Sequence, residues 1–159
     1  MKPLFWIVLT ICVSATAAER VASLSPNLTE TVVRLGAEDQ LVGRSSACDY
    51  PESVRKLPVV GRFGVPALEP LLATRPTLVI AETLRNDADA ERLRELGVRL
   101  EAFPAVTLDD YFRNLARLGA LLGKEKEARE EAGRAKQLIA AWKADDAALT
   151  EKERPKVLV

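Results

Sequence analysis

Ser25, Ser45, Ser46 and Cys48 are the residues of this chain whose type would suit covalent chemistry, and none of them has the partner that chemistry needs. A hydroxyl or thiol attacks a substrate only when a base takes its proton. The sequence holds no histidine and no lysine beside any of the four. The same absence removes Ser-His-Asp and Cys-His catalysis, His-ligated zinc or iron, and histidine pH switches. Two carboxylate pairs, Asp109-Asp110 and Asp145-Asp146, are adjacent in sequence on helical stretches. Neighbours on a helix diverge by about 100°, so these pairs cannot converge on one substrate and read as solvated helix faces. The chain is expected to bind something, and not to be an enzyme; an exported α/β hydrolase acting through Ser45 is the remote alternative.

Binding chemistry is better represented. Arg44, Arg62 and Arg85 each follow an apolar run or a turn, and a guanidinium grips carboxylate, phosphate or catecholate oxygens in a bidentate fork. Taken singly, each could equally be a solvated surface arginine. Phe63 sits between Gly61 and Gly64, where it has little regular structure to pack on, so exposure toward a planar ligand competes with core packing.

The elements that must position these residues are legible in outline. Short apolar runs at Val21 to Leu24, Leu41 to Gly43, Thr77 to Ala81 and Val98 to Phe103 are separated by polar segments, mostly with helical spacing. Alternating strand and helix predicts a parallel α/β sheet of Rossmann-like type. Ser25-Pro26, or Asn27 with Glu30, opens the first helix; Asn86 with Asp89 and Thr107 with Asp110 open two more. Three Leu-Gly pairs, ending at Gly36, Gly97 and Gly123, read as helix C-caps and not as phosphate loops. No glycine-rich nucleotide fingerprint occurs. In an open parallel sheet, ligands sit beyond the carboxyl ends of the strands. That selects Ser25 to Asn27, Arg44 to Ser46, Arg62 and Phe63, Glu82 to Arg85, and Pro104.

From Glu125 to about Thr150, Ala128, Ala132, Ala135, Ile139 and Trp142 recur at spacings of four, three, four and three, predicting one amphipathic helix of about 26 residues and about 39 Å. That exceeds what one small sheet layer covers, so the helix should bridge two bodies or brace the edge of one. Arg154-Pro155 stops it, and Lys156 to Val159 begins a β-type run. A last strand with neither turn nor tail suggests an incomplete chain.

The charge balance, 23 basic against 23 acidic side chains in 159 residues without a basic run, lacks the footprint of a nucleic-acid binder. Residues 1–18 join one lysine, an apolar run from Leu4 to Val13, and small residues at Ala15, Ala17 and Ala18. This reads as a cleaved secretory signal peptide, since the run falls well short of the roughly 20 residues that span a bilayer. Cys48 would be the one cysteine of the exported chain, so no internal disulfide can form and the fold must rest on its apolar core.

The stretches RVASLSPNLTETVVRLGAEDQLVGRSSACDYP, VVGRFGVPALEPLLATRPTLVIAE and RLRELGVRL, in this order and spacing, resemble the periplasmic substrate-binding proteins for cobalamin and ferric siderophores that serve ABC importers. The resemblance runs from about Arg20 to Val159. It implies two α/β lobes joined by one long helix, with the ligand between them. On that scheme residues 1–18 are the signal peptide, 19–123 the N-terminal ligand-binding lobe, 124–153 the long helix, and 156–159 the first strand of a second lobe that is largely missing.

The resemblance further implies a periplasmic monomer that takes a small-molecule metal chelate, holds no cofactor or metal of its own, and hands its ligand to an importer permease. Phe63 falls where the cobalamin receptors set an aromatic against the corrin ring, and Tyr50, in the Asp49-Tyr50-Pro51 turn, lines the cleft; a turn-capping role competes for Tyr50. Glu69 falls where such lobes offer a carboxylate to permease arginines, although a first-turn acid also suits the helix dipole. Ser25, Asn27, Arg44, Arg62 and Arg85 complete the expected ligand-binding set. Cys48-Asp49-Tyr50-Pro51 with Phe63 leans toward a corrinoid, and the arginines suit an anionic ferric siderophore. Haem is a further alternative, because Tyr50 or Tyr111 could ligate its iron. A lobe that binds no ligand and keeps only permease contacts is another.

Overall fold

The structure is a computed structural model that describes residues 18–149. Strands β1 (Val21–Ser23), β2 (Leu41–Ser45), β3 (Val59–Arg62), β4 (Val65–Pro66), β5 (Leu78–Ala81) and β6 (Arg99–Ala102) form one sheet in the order β4-β3-β2-β1-β5-β6. Neighbours run parallel except β3 and β4, which are antiparallel. Around the sheet, among the described residues, lie helices α1 (Pro26–Arg34), α2 (Leu68–Ala73), α3 (Asp87–Glu95), α4 (Leu108–Leu122) and α5 (Glu125–Ala148). No helix of the described residues is long and apolar enough to cross a membrane.

Both faces of the sheet are covered, which explains why β5 reads as an unbroken apolar run. Leu78 and Ile80 point into one core with Leu28 and Val32 of α1 and Leu115 and Leu118 of α4. Val79 and Ala81 point into the other, with Leu71 of α2 and Leu93 of α3. Each such fully buried leucine or isoleucine contributes about 1.5–3 kcal/mol of transfer free energy.

Helix ends follow their local chemistry. Asn86 Oδ1 accepts from Ala88 N–H, and Thr107 and Asp110 form a reciprocal capping box. Each Leu-Gly pair carries its glycine at a φ of 65–73° where the helix ends. Ser25 precedes α1 without a side-chain cap bond, because its hydroxyl is engaged elsewhere.

Three expectations change. The sheet is not wholly parallel, since the edge strand β4 turns back on β3; strands of two and four residues are too short to show alternation in a sequence. β2 runs on to Ser45, so Arg44 lies within a strand and not beyond one. The apolar stripe of α5 is covered only in part: Ala128 is buried, but Trp142 is 60% exposed. Apart from Ala18, the leader over residues 1–18 lies outside the described residues, as do residues 150–153 and the strand over 156–159.

Candidate functional site

β1 is the switch point of the sheet. Chain order runs outward from it to β2 on one side, and β5 lies on the other, so the carboxyl ends of these strands diverge around a crevice. Its lip is tied together by bonds between residues far apart in sequence. Ser25, one residue past the end of β1's last bond to β5, is fully buried, and its Oγ accepts from Glu82 N–H at 2.9 Å. Leu24 N–H donates to Ile80 O at 2.9 Å. Ser25 therefore closes the gap between two strands and has no hydroxyl on the surface to offer a ligand.

The turn after β3 folds back over this crevice. Gly64 N–H donates to Leu24 O, and Arg85 N–H donates to Gly64 O, each at 3.1 Å. Gly64 has a φ of +67°, and a Cβ there would stand 2.6 Å from Thr83 O. Only glycine lets the backbone of the turn press this close to the exit of β5. The consequence is that Phe63 is held at the lip with 37% of its surface exposed. Arg62 and Arg85 flank it, both exposed, and neither guanidinium has a carboxylate partner among the described residues, whereas Arg34, Arg92, Arg99, Arg113, Arg117 and Arg134 are all paired.

Arg44 has a different task. Its guanidinium donates to Ser45 O at 3.2 Å, Cys48 O at 3.0 Å and Arg55 O at 3.3 Å, while Arg55 Nε donates to Asp49 O at 2.8 Å. Two arginines thus clamp the loop that carries Tyr50. Tyr50, 66% exposed, and Pro51 line a depression of about 210 Å³ against Glu30, Val33 and Arg34 on α1, away from the lining of any cavity that includes Arg62. The geometry groups Phe63, Arg62 and Arg85 with the Ser25–Glu82 closure, and sets Tyr50 on the flank of α1. Asn27 is exposed at the start of α1 and borders a small cavity shared with α4. Glu69 is exposed in the first turn of α2, on the opposite layer from α1, with no ion pair among the described residues.

Of the four candidate nucleophiles, Ser25, Ser45 and Cys48 are absorbed by the fold, and Ser46 is exposed. Thr29 Oγ1 lies 2.8 Å from Ser23 Oγ and 3.1 Å from both Ser25 O and Cys48 Sγ, and Ser45 Oγ lies 3.2 Å from the same sulfur. All of these side chains are buried, and the basic side chain beside them, Arg44, donates to the Ser45 and Cys48 carbonyls. Among the described residues no three His, Cys, Asp or Glu side chains gather as metal ligands.

Two charged groups support these elements: Asp110 through the capping box that its spacing from Thr107 predicts, and Glu131 through contacts that leave no signal in the sequence beyond its charge. Asp110 accepts from Val106 N–H, Thr107 N–H and the Thr107 hydroxyl, and the bonds from Thr107 and Val106 lower its pKa from 3.8 to about 2. Glu131 of α5 is only 6% exposed and pairs with Arg34 of α1 at 2.9 Å and with Arg134 at 2.5 Å. Burial pushes its pKa up, and the bonds from Arg134 and Arg34 more than reverse that, leaving it depressed. Tyr111 nearby is half-buried, and burial, reinforced by the Glu131 charge, raises its phenol pKa.

Residues 21–159 match the model of a family described as periplasmic binding protein. The chain is 35% identical over 121 residues to a vitamin B12-binding protein of Vibrio vulnificus (strain CMCP6), covering 74% of this chain and 44% of that one. Its structure resembles a periplasmic heme binding protein from Pseudomonas aeruginosa, with TM-score 0.79, 32% identity and coverage of 87% and 50% of the two chains. It also resembles the periplasmic vitamin B12 binding protein of Vibrio cholerae, with TM-score 0.72, 27% identity and coverage of 82% and 52%. The chain spans about half the length of the relatives it matches.

Proposed function

The chain belongs to the periplasmic binding protein family, and from that premise we propose that it is one lobe of the substrate-binding component of an ABC importer, capturing a corrinoid or a ferric siderophore and delivering it to a membrane permease. On this reading residues 19–123 are the ligand-binding lobe, α5 is the connecting helix, and a second lobe would close the cleft from the other side. The leader over residues 1–18 carries it to the periplasm, where it acts as a monomer. The observation that supports this best is the Phe63 turn: a partly exposed aromatic held by backbone bonds over the switch-point crevice offers a flat apolar platform where α/β sheets take ligands.

Titration of the purified chain with cyanocobalamin and with ferric siderophores, followed by ligand absorbance and Trp142 emission, should saturate. Phe63→Ala should weaken binding about tenfold or more while the melting temperature holds, as for an aromatic anchor at an interface. Unaltered affinity would remove Phe63 from the site. Glu69 is the proposed permease contact, and co-purification with the permease that survives Glu69→Lys would sink it. A chain that co-purifies and binds nothing would be the lobe that keeps only permease contacts.

A haem receptor is the second reading, favoured by one observation. Arg62 adjoins Phe63 in the chain, Arg85 is tied to the same turn through its N–H, and neither guanidinium has a carboxylate partner among the described residues, so a porphyrin with two carboxylates would complement them. Arg62→Gln should then weaken haemin several-fold and leave the uncharged amides of cyanocobalamin nearly indifferent.

A further inference from the structure

The cavity between α1 and α4 is unassigned by the reading above. It measures about 40 Å³, with Leu28, Leu115 and Leu118 along its floor and Asn27, Ala105 and Tyr111 around its upper wall. Asn27 is the second residue of α1, and Ala105 lies three residues past β6, so the opening is at the same carboxyl-end edge as Phe63. Leu24, whose carbonyl accepts from Gly64 N–H in the Phe63 turn, stands three residues before Asn27, and three residues of chain reach at most about 11 Å, so the mouth of the cavity and the turn are neighbours along this edge.

The segment above the cavity is fixed although it is exposed. Val106 N–H and Thr107 N–H donate to Asp110 at 3.1 and 3.0 Å, and Asn114 Nδ2 donates to Pro104 O at 2.9 Å. On this anchored backbone Val106 is 95% exposed. An apolar side chain held rigid in water at a ligand-facing edge costs no further ordering when something apolar covers it. The cavity itself has space for a few non-hydrogen atoms, since about 10–15 Å³ of such space holds one water.

We propose that this cavity is a side pocket for a methyl- or vinyl-sized apolar substituent on the periphery of a tetrapyrrole lying against Phe63, with Val106 covering the macrocycle edge beside it. The proposal rests on the receptor reading and narrows it: corrins and porphyrins carry such substituents around a flat ring, whereas the edge of a ferric catecholate is oxygen and aromatic C–H. Ala105 and Val106 become selectivity residues.

The test is absorbance titration of the full chain with haemin, with deuterohaemin, which has hydrogen where haemin has vinyl, and with cyanocobalamin. The parent chain should hold haemin about tenfold tighter than deuterohaemin, the discrimination a small apolar group brings in a fitted pocket. Ala105→Leu, which plugs the opening, should erase that difference and weaken cyanocobalamin about tenfold, with an unchanged melting temperature. Val106→Ala, at a position too exposed to matter for folding, should weaken all three ligands several-fold. Equal affinity for haemin and deuterohaemin that Ala105→Leu leaves unchanged, or equal affinity for cyanocobalamin before and after Ala105→Leu, overturns the pocket and leaves the receptor reading standing. Binding of a ferric siderophore but none of the three overturns the pocket alone, and binding of no ligand at all overturns both.

Discussion

The lip of the crevice and the joint between α4 and α5 are built in opposite ways. At the lip, backbone groups make the bonds: Gly64 to Leu24, Arg85 to Gly64, and Glu82 N–H to the one side chain involved, Ser25. Phe63, Arg62 and Arg85 are thereby left free. At the joint, side chains do the holding. Gly119 admits Ala128 so closely that a Cβ on it would stand 2.5 Å from the Ala128 Cβ, and Glu131 is enclosed by Arg34 and Arg134. A region that must present side chains to a partner fixes itself through the main chain; a region that must fix a direction uses its side chains up.

Substitutions should separate the two. The largest effect belongs to Gly119→Leu, which forces α4 and α5 apart and should cost about 3 kcal/mol of stability by overpacking, read as a lower denaturant midpoint. Gly64→Ala should cost about 2 kcal/mol, from the left-handed backbone and the contact with Thr83 O, and should also weaken ligand binding because the Phe63 turn must lift. If Gly64→Ala lowers stability and leaves binding untouched, the turn is not the platform.

Glu131→Gln should cost about 1–2 kcal/mol at neutral pH, because it removes a charged acceptor from two guanidinium groups that remain partly solvated. Its pH profile has a definite sign. Glu131 and Asp110 have folded pKa values below their unfolded ones, so each contributes fully above the ordinary carboxylate range and loses that contribution as pH falls through the folded value. For Asp110 that window runs from about 4 down to about 2, and Asp110→Asn should flatten this part of the stability curve. The smallest effect on folding is expected for Phe63→Ala, within about 0.5 kcal/mol as for a substitution away from the core, although it should weaken binding most.

The contrast also explains what could be read without a structure. The capping box at Thr107 and Asp110, the Asn86 cap and the Leu-Gly ends were legible because each is a contact within three or four residues. β1, β2 and β5 were legible as apolar runs because a sheet covered on both faces needs them, whereas the edge strand β6 showed through the buried Val98 and Phe103 that flank it. β3 and β4 were not, because they are held by pairing with neighbours and not by composition. Arg44 was legible as a cation, but whether its guanidinium met a ligand or the carbonyls of its own loop depended on where residues 48–55 went. The Ser25 hydroxyl bonds a residue 57 positions away, and no spacing rule reaches that far.

By itself, then, the sequence determined the alternation of strand and helix, the ends of α1, α3 and α4, the absence of a nucleophile–histidine pair and the presence of an aromatic between glycines, all of which follow from residue type or from neighbours within one helical turn. Tertiary structure alone decided that Ser25 and Arg44 turn inward to the fold, that Tyr50 leans on α1, and that Phe63, Arg62 and Arg85 share one edge. Those outcomes depend on which strand ends the chain brings side by side, and that is settled by burying two faces of one sheet at once.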